Sequence, residues 1–497
     1  MARIKQLVQS LKSFQLHLSV YLLGVIAARV PISRGPFFGD DFDAINARIN
    51  GRYASNPITA LSESYGEKWR PLNTFVMTFL LKFLNDSYLL CYLLSIFLLL
   101  LLTITCVIFL RNYLQKMSHL EKLVCELILV ALIATSPLTW MAKSGVFGFL
   151  ELAPAIFIIF SFQQFSKMKQ VNSNLPLIYS VLLIMIAVLI HERHNAIAIG
   201  FAAVSYFQAK DNPRFKGVWL AYLLVPIFFV YSTAVVLKID PLVGGGEERI
   251  INSYGTWMIF RPFVAMGLLL FGSGRNWFSN SSNNQDMFDY VRLLLTLVPF
   301  LTVLTLFIRQ LNKSQLLKLL RHFRISKTGE IFVIAFFAVL PSATVVSRIE
   351  GRWLFISYLF VIIGIIVGIS TLSLKIFGLN NVRLIGLALG GFLIANIING
   401  GDFKEYDLAR VLSHKIIATA ENESTSMTTW HLQIAASESQ SVWINWALGN
   451  GGVVSNNLSN PPRTVSFDSG CMTPCLTIDI SEFSAKETIS TIWTLTP

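Results

Sequence analysis

The chain has 497 residues, of which 54 % are hydrophobic and only 14 % are charged, and its 40 Lys+Arg exceed its 28 Asp+Glu to give a formal net charge of +12. Average soluble domains contain roughly 45–50 % apolar and 25 % charged residues. This composition excludes a disordered chain and argues against an ordinary cytosolic enzyme. What the positive charge means depends on where the basic residues lie.

The apolar residues are concentrated in runs that suit a bilayer-crossing helix, which needs about 20 residues. The first run follows a basic N-terminus and no signal-peptide cleavage site follows it, so we interpret it as an uncleaved span. The pattern predicts about eleven spans in total. They cover residues 17–30, 88–110, 123–138, 146–162, 175–190, 196–207, 218–237, 291–308, 331–346, 354–374 and 384–398.

Lysine and arginine are concentrated in alternate loops between these spans. If the N-terminus is cytoplasmic, every inside loop is short, basic and poor in acids, which is the positive-inside pattern. These loops are residues 111–122, 163–174, 208–217, 309–330 and 375–383. Most of the net charge therefore indicates orientation and not nucleic-acid binding. We expect a multi-pass protein of the bacterial inner membrane, with its C-terminal part in the periplasm.

Two apolar stretches do not fit as crossings, because counting either one would invert the charge pattern downstream. The stretch at residues 72–84 is short and contains Lys82, and the stretch at residues 254–271 contains Arg261 and Pro262. Both are predicted as helices at the outer interface. A re-entrant hairpin at 254–271 is the alternative. The first outer loop, at 31–87, is then large.

Residues 401–497 differ in character, since they are rich in Ser, Thr and Asn and contain short alternating stretches and turn signals. We predict a small, β-rich extracytoplasmic domain here. Cys471 and Cys475 could form a local disulfide; a zinc pair is disfavoured because no second pair of ligands is near. The predicted fold class is an all-α polytopic membrane protein, with about 11 transmembrane helices in residues 1–400, outer interfacial helices and this C-terminal domain.

Two adjacent carboxylates, Asp40 and Asp41, follow the first span. Neighbouring acids near a low-dielectric surface repel, which raises the pKa of at least one and suits a general base. The pair could instead hold a divalent cation, or cap a helix beginning near residue 42. At the far end of the same loop, Arg70 follows an interfacial tryptophan, Trp69. Arginine is suited to phosphate recognition, and membrane anchoring without a ligand is the alternative.

The segment His191-Glu192-Arg193-His194 fills the junction between the fifth and sixth predicted spans, which leaves no room for a loop. Polar residues at a span end need water or each other. Glu192 could orient Arg193 or accept the proton of an acceptor hydroxyl. A surface turn with ordinary snorkelling of its side chains is the alternative.

Further charged residues are predicted on the same outer side. Arg348 and Arg352 oppose the positive-inside bias, which suggests an anionic ligand, although pairing with Glu350 is the alternative. Lys143 adds a cation in another short outer loop. Glu151 lies inside the fourth predicted span, where an acid is a functional candidate by default and a helix-to-helix hydrogen bond is the alternative.

Carboxylates and cations from four loops thus meet one membrane face, which is stronger evidence than any single motif. A carboxylate base with several cations fits displacement of a phosphate leaving group. The base deprotonates an acceptor hydroxyl, and the cations stabilise charge that develops on the phosphate. The hydrophobic body would hold a lipid tail.

In its order of motifs the chain resembles the GT-C glycosyltransferases that use polyprenyl-phosphate sugars, including protein O-mannosyltransferases and transferases that modify lipopolysaccharide or O-antigen. The resemblance rests on Gly39-Asp40-Asp41-Phe42 and then Trp69-Arg70-Pro71-Leu72 in the first outer loop. Ser136-Pro137, His191-Glu192-Arg193 and Glu350-Gly351-Arg352-Trp353 follow in the family's order more loosely. The similarity covers roughly residues 15–375.

The resemblance implies a sugar donor on undecaprenyl or dolichyl phosphate, a glycan or protein acceptor, and inverting transfer on the outer face. Asp40 matches the family's usual base and Asp41 its positioning acid, and Glu192 is a third catalytic candidate. The expected donor-binding residues are Arg70, Lys143, His191, Arg193, Arg348 and Arg352. Any metal ion would be a divalent cation on Asp40 and Asp41, and no other cofactor is implied.

Two other classes of function compete with this interpretation. A lipid-linked oligosaccharide flippase or transporter predicts polar residues near span centres and repeated halves, and these features are sparse here. An O-antigen polymerase or ligase usually has its large outer loop late in the chain, whereas this chain has it after the first span. The predicted outer domain at residues 401–497 nevertheless leaves a polymerase or ligase as an alternative.

Overall fold

The computed structural model describes most of the helical part of the chain and five short strands. The described residues are 2–27, 58, 61, 69–83, 88–115, 117–136, 148–171, 173–238, 294, 301, 326–344, 351–371, 381–399, 429–435, 453–454, 463–467, 475–479 and 493–496. The predicted span 291–308, apart from residues 294 and 301, and the predicted helix 254–271 lie outside them.

Eleven α-helices are present in the described part of the chain, and they follow the apolar runs of the sequence. They are α1 (Ala2–Ala27), α2 (Pro71–Phe83), α3 (Tyr88–Arg111), α4 (His119–Thr135), α5 (Gly148–Met168), α6 (Leu175–Ile190), α7 (Asn195–Gln208), α8 (Val218–Tyr231), α9 (Lys327–Thr344), α10 (Gly351–Thr371) and α11 (Asn381–Asn399). Single 3-10 turns precede α7 and α8, at Glu192–His194 and Pro213–Phe215, and a π-helical turn follows α8 at Ser232–Val236.

Three helical stretches of the described residues are long and apolar enough to cross a membrane, namely Leu90–Arg111, Gly148–Met168 and Pro213–Val236. Shorter apolar helices are Leu175–Ile190, Leu354–Ser370 and Asn381–Ile394. This architecture agrees with an all-α membrane protein. The count of eleven crossings and the orientation stay predictions.

Most of the described helices pack around a large apolar core that is dense in aromatic rings. Phe162 on α5 contacts the rings of Phe109, Phe201 and Phe360, with centroids 5.3, 5.7 and 5.8 Å away. Large apolar side chains also face outward, for example Leu224 and Ile227 on α8. A helix that is apolar on all sides suits a lipid environment better than water, because lipid tails do not penalise outward-facing hydrocarbon.

Ion pairs on buried carboxylates tie the helices together next to the predicted inside loops. Glu126 on α4 receives a bidentate pair from Arg111 at the end of α3 (2.7 and 2.8 Å), and His17 Nε2 lies 2.9 Å from the same carboxylate. Glu330, in the first turn of α9, accepts from Lys169 at 2.5 Å and also from Gln208. Arg111 and Glu126 link consecutive helices, and the other contacts link helices that are far apart in the chain.

The five strands form one mixed sheet in the order β2-β3-β1-β4-β5. They are β1 (Thr429–Ala435), β2 (Val453–Val454), β3 (Arg463–Phe467), β4 (Cys475–Asp479) and β5 (Trp493–Thr496). The central strands β3, β1 and β4 are parallel, and both outer strands are antiparallel to their neighbours. β3 and β4 overlap the alternating stretches that the sequence shows at residues 465–467 and 476–480. That residues 401–497 form an extracytoplasmic domain stays a prediction, and Cys471 lies outside the described residues.

Candidate functional site

Helix α2 lies against the N-terminal end of α5 and the C-terminal end of α6. Leu72 of α2 packs on a small apolar cluster that includes Leu150 and Ala153 of α5 and Ile190 of α6. Pro71 opens the helix, a position where its missing N–H costs nothing and its fixed φ suits a helix start. Arg70, directly before the proline, is thereby placed at the helix end that faces the α6–α7 junction.

The two faces of α2 are inverted relative to a helix of a water-soluble protein. Its buried face carries Asn73, Thr74 and Thr78, each at most 4 % exposed. Its exposed face carries Phe79 and Phe83, which are 49 % and 73 % exposed and stack with centroids 5.7 Å apart. A helix that turns hydrocarbon outward and polar groups inward fits a membrane interface on one side and a polar site on the other.

The α6–α7 junction is a tight polar turn. His191 ends α6 in an extended conformation, and its Nδ1 accepts a hydrogen bond from the backbone N–H of Arg193 at 3.4 Å. Glu192–His194 then form one 3-10 turn, and Asn195 begins α7. Asn195 Nδ2 donates to the carbonyl of Glu192 at 2.9 Å. The turn is therefore held by its own side chains, which fixes where its charged groups lie.

A bidentate ion pair joins the first-loop motif to this junction. Arg70 Nε donates to Glu192 Oε2 and Arg70 Nη2 to Glu192 Oε1, both at 2.6 Å. The two residues are 122 positions apart in the chain. Parallel N–H···O bonds from a guanidinium to a carboxylate are among the strongest and most directional side-chain contacts. The pair therefore makes one structure of two segments that the sequence analysis treats as separate motifs.

A second ion pair binds the same turn to α5. Arg193 Nη2 donates to Glu151 Oε2, and the side chains are only 10 % and 6 % exposed. Glu151 lies in the first turn of α5, where an acid also interacts favourably with the helix dipole. The partner of Arg193 is thus Glu151, whereas Glu192, the residue suggested to orient it, pairs with Arg70.

Electrostatics hold the turn in one protonation state. Burial, reinforced by the charges of Arg70 and Arg193, lowers the pKa of His191 to about 3. Burial and then Arg193 hold the pKa of His194 well below its ordinary value. Burial alone would raise the pKa of Glu192, but the charge and hydrogen bonds of Arg70 outweigh burial and hold that pKa well below 4.5. At neutral pH both imidazoles are neutral and Glu192 is ionised.

These shifts predict that acid destabilises the fold. In the unfolded chain His191 takes up a proton below pH 6.5, whereas in the folded chain it does so only near pH 3, so the free energy of unfolding falls as pH drops through that window. His194 acts in the same direction, and Glu192 adds to it below pH 4.5. We expect a lower melting temperature at pH 5.5 than at pH 7.5.

The control for this pH effect is His119→Gln, at an exposed position. His119→Gln should leave the difference between the melting temperatures at pH 5.5 and pH 7.5 unchanged. His194→Phe should make that difference smaller. A melting temperature independent of pH in the unmodified chain would contradict the prediction.

The tryptophan before Arg70 anchors the entry to α2. Trp69 packs on Phe229 of α8 with ring centroids 5.7 Å apart, and its Nε1 donates to the carbonyl of Leu61 at 3.2 Å. The partly buried tryptophan thus contacts the helical body, and its interfacial role stays a prediction. Its contact with α8 ties the first outer loop to the helical body.

The structure brings together four of the residues predicted from sequence: Arg70, His191, Glu192 and Arg193. Outside the described residues lie Asp40, Asp41, Lys143 and Arg348. Arg352 is at the second position of α10. Within the described ranges no group of three or more His, Cys, Asp or Glu is placed to hold a metal ion, and the proposed cation ligands Asp40 and Asp41 are not among those residues.

Four residues on or beside these ion pairs were not among the predicted site residues: Asn73, Glu151, His194 and Asn195. The cost of an acid in an apolar run did mark Glu151 as a candidate. Nothing in the local sequence distinguishes Asn73, because its burial depends on which face of α2 meets α5 and α6.

Comparison with known proteins gives no assignment: no family model, curated protein or solved structure matches this chain.

Proposed function

We propose that the chain is an integral-membrane glycosyltransferase of the hexosyltransferase type. It moves a sugar from a polyprenyl-phosphate donor to a hydroxyl of a cell-surface glycan or protein, on the extracytoplasmic face. The observation that carries the proposal is the Arg70–Glu192 pair, with oxygen–nitrogen distances of 2.6 Å. It joins the Trp69-Arg70-Pro71-Leu72 motif of the first outer loop to the His191-Glu192-Arg193 segment, which matches the family more loosely.

The proposed reaction is a single displacement with an aspartate base. Asp40 takes the proton of the acceptor hydroxyl, and the acceptor oxygen forms a bond to the anomeric carbon. The bond from that carbon to the phosphate oxygen breaks on the opposite face, so the configuration inverts and polyprenyl phosphate leaves with the electron pair. Asp41 positions the acceptor or the base. Cations of the outer loops, including Lys143, Arg348 and Arg352, stabilise the phosphate charge.

The described residues support a positioning role for Glu192. A carboxylate whose pKa is held well below 4.5 and whose two oxygens both accept from Arg70 is a poor proton acceptor at neutral pH. It orients Arg70, whereas Arg193 is held by Glu151. The proton acceptor is therefore sought at Asp40 or Asp41.

A transfer assay in membranes tests the proposal. Membranes from cells with and without the chain receive a polyprenyl phosphate that carries a tritiated sugar, and the label is followed from the lipid fraction into the glycan and protein fraction. We expect transfer, with release of polyprenyl phosphate, only when the chain is present. Movement of the intact labelled lipid across the bilayer without cleavage would overturn the proposal in favour of a transporter.

A further inference from the structure

Several polar atoms beside the Arg70–Glu192 pair are buried and have no hydrogen-bond partner among the described residues. They are Arg193 Nη1, His194 Nε2, Asn195 Oδ1 and Asn73 Oδ1. Asn73 lies one turn after Arg70, so the two share a face of α2. The other three follow Glu192 directly. Leaving buried polar groups unpaired costs free energy, so four of them on the two segments that the Arg70–Glu192 pair joins call for a binding partner.

The chemistry of these atoms selects the kind of partner. The amide of Asn195 is oriented by the hydrogen bond from its Nδ2 to the Glu192 carbonyl, so its free Oδ1 requires a donor. Asn73 Oδ1 likewise requires a donor. An ionised phosphate ester provides acceptors only and would leave both amide oxygens unsatisfied. A hydroxyl group both donates and accepts, so a ring with several hydroxyls can satisfy the whole set.

The charge balance of the cluster favours the same conclusion. Arg70 is paired with Glu192 and Arg193 with Glu151, so the two positive charges are matched by two negative charges. The imidazole of His194 is neutral, because burial holds its pKa well below 6.5. Among the described residues of this cluster, a phosphate would meet no excess positive charge to offset its desolvation.

We infer that Asn73, Arg193, His194 and Asn195 form the subsite for the neutral, hydroxyl-bearing sugar ring, and that the donor phosphate is held by cations outside this cluster. The inference rests on the proposed function and refines it. It moves Arg70 and Arg193 from phosphate binding, where sequence reasoning places them, to the organisation of a sugar site.

Binding by two matched lipids tests the inference. The full chain in nanodiscs is titrated with farnesyl phosphate and with farnesyl phosphate carrying glucose, mannose, galactose or N-acetylglucosamine. We expect at least one glycosylated lipid to bind about tenfold more tightly than the bare lipid, as two or three net hydrogen bonds would give. Asn73→Leu and His194→Phe should bring that ratio close to one without weakening binding of bare farnesyl phosphate.

Stability separates a binding role from a structural one. Asn73→Leu removes a buried unpaired oxygen, so the melting temperature of the unliganded chain should stay the same or rise. The matched control is Thr103→Val, which removes a buried hydroxyl that does have a partner, the Leu99 carbonyl at 2.7 Å. It should lower the melting temperature slightly and leave the ratio of the two affinities unchanged.

The possible outcomes distinguish this inference from the proposed function. Equal binding of all five lipids, an unchanged ratio in both variants, or an equal loss of bare farnesyl phosphate binding would overturn the sugar subsite. A sugar-dependent ratio that is lost in the variants, together with no transfer in membranes, would uphold the subsite and overturn the transferase.

Discussion

Asp40→Asn is expected to reduce sugar transfer by about 10²–10⁴-fold, the range that a general base contributes. Asparagine keeps the shape of the side chain but cannot take the proton of the acceptor hydroxyl. The protein level and the melting temperature should not change, because the substitution removes a charge without changing volume. The measurement is the initial rate of label transfer in membranes adjusted to equal amounts of the chain.

Two neighbouring acids provide the comparison for this variant. Asp43→Asn, three positions along the same loop, is the matched control and should retain full activity. Asp41→Asn decides which member of the pair is the base, since the larger loss identifies it. Full transfer by both Asp40→Asn and Asp41→Asn would refute the assignment of an aspartate base.

Glu151→Gln is expected to lower the free energy of unfolding by about 3–5 kcal/mol, the usual cost of breaking a buried ion pair from one side. The cost arises because Arg193 stays charged while its side chain, 10 % exposed, loses its carboxylate. Equilibrium unfolding in detergent micelles, followed by tryptophan fluorescence, measures the change.

Two controls show whether the effect of Glu151→Gln comes from breaking the ion pair with Arg193 or only from removing a negative charge. Glu121→Gln, on the surface of α4, should change the free energy by less than about 0.5 kcal/mol, because glutamine can still complete the capping box with Ser118. Glu151→Leu combined with Arg193→Leu removes both charges and should recover most of the stability. If the double variant is no more stable than Glu151→Gln, the ion pair is not the source of the effect.

That double variant also separates folding from function. If Arg193 only stabilises the turn, the folded double variant should retain sugar-dependent binding. If Arg193 Nη1 donates to the sugar, as we propose, the double variant should be stable and should lose that binding. Stability and binding therefore respond differently to the same pair of substitutions.

Much of the helical architecture is predictable from the sequence, because hydropathy is a local property. The apolar runs near 88–110, 175–190 and 218–237 coincide with helices α3, α6 and α8. The helix predicted at 72–84, short and containing a lysine, appears as α2 at Pro71–Phe83. The observed helix ends differ from the predicted ones by a few residues, because capping residues such as Ser118 and prolines such as Pro71 determine where a helix begins.

The partners of the charged residues are not predictable in the same way. The His191–His194 segment alone suggests that Glu192 would orient its neighbour Arg193. In the fold each pairs with a residue from another helix end, Glu192 with Arg70 and Arg193 with Glu151. Adjacent residues in a 3-10 turn project in different directions, so their partners depend on what packs on each side of the turn.

By itself the sequence determined that this chain is a helix-rich, apolar protein whose basic residues lie mostly between its apolar runs, because hydropathy and charge are properties of the local sequence. Only the tertiary structure decided that the polar face of α2 is buried, that Arg70 and Glu192 meet across 122 positions, and that both arginines of the cluster are neutralised. Those facts depend on which helix ends lie side by side. An ion pair forms only where a guanidinium and a carboxylate come within about 4 Å, a distance that packing sets and local pattern does not.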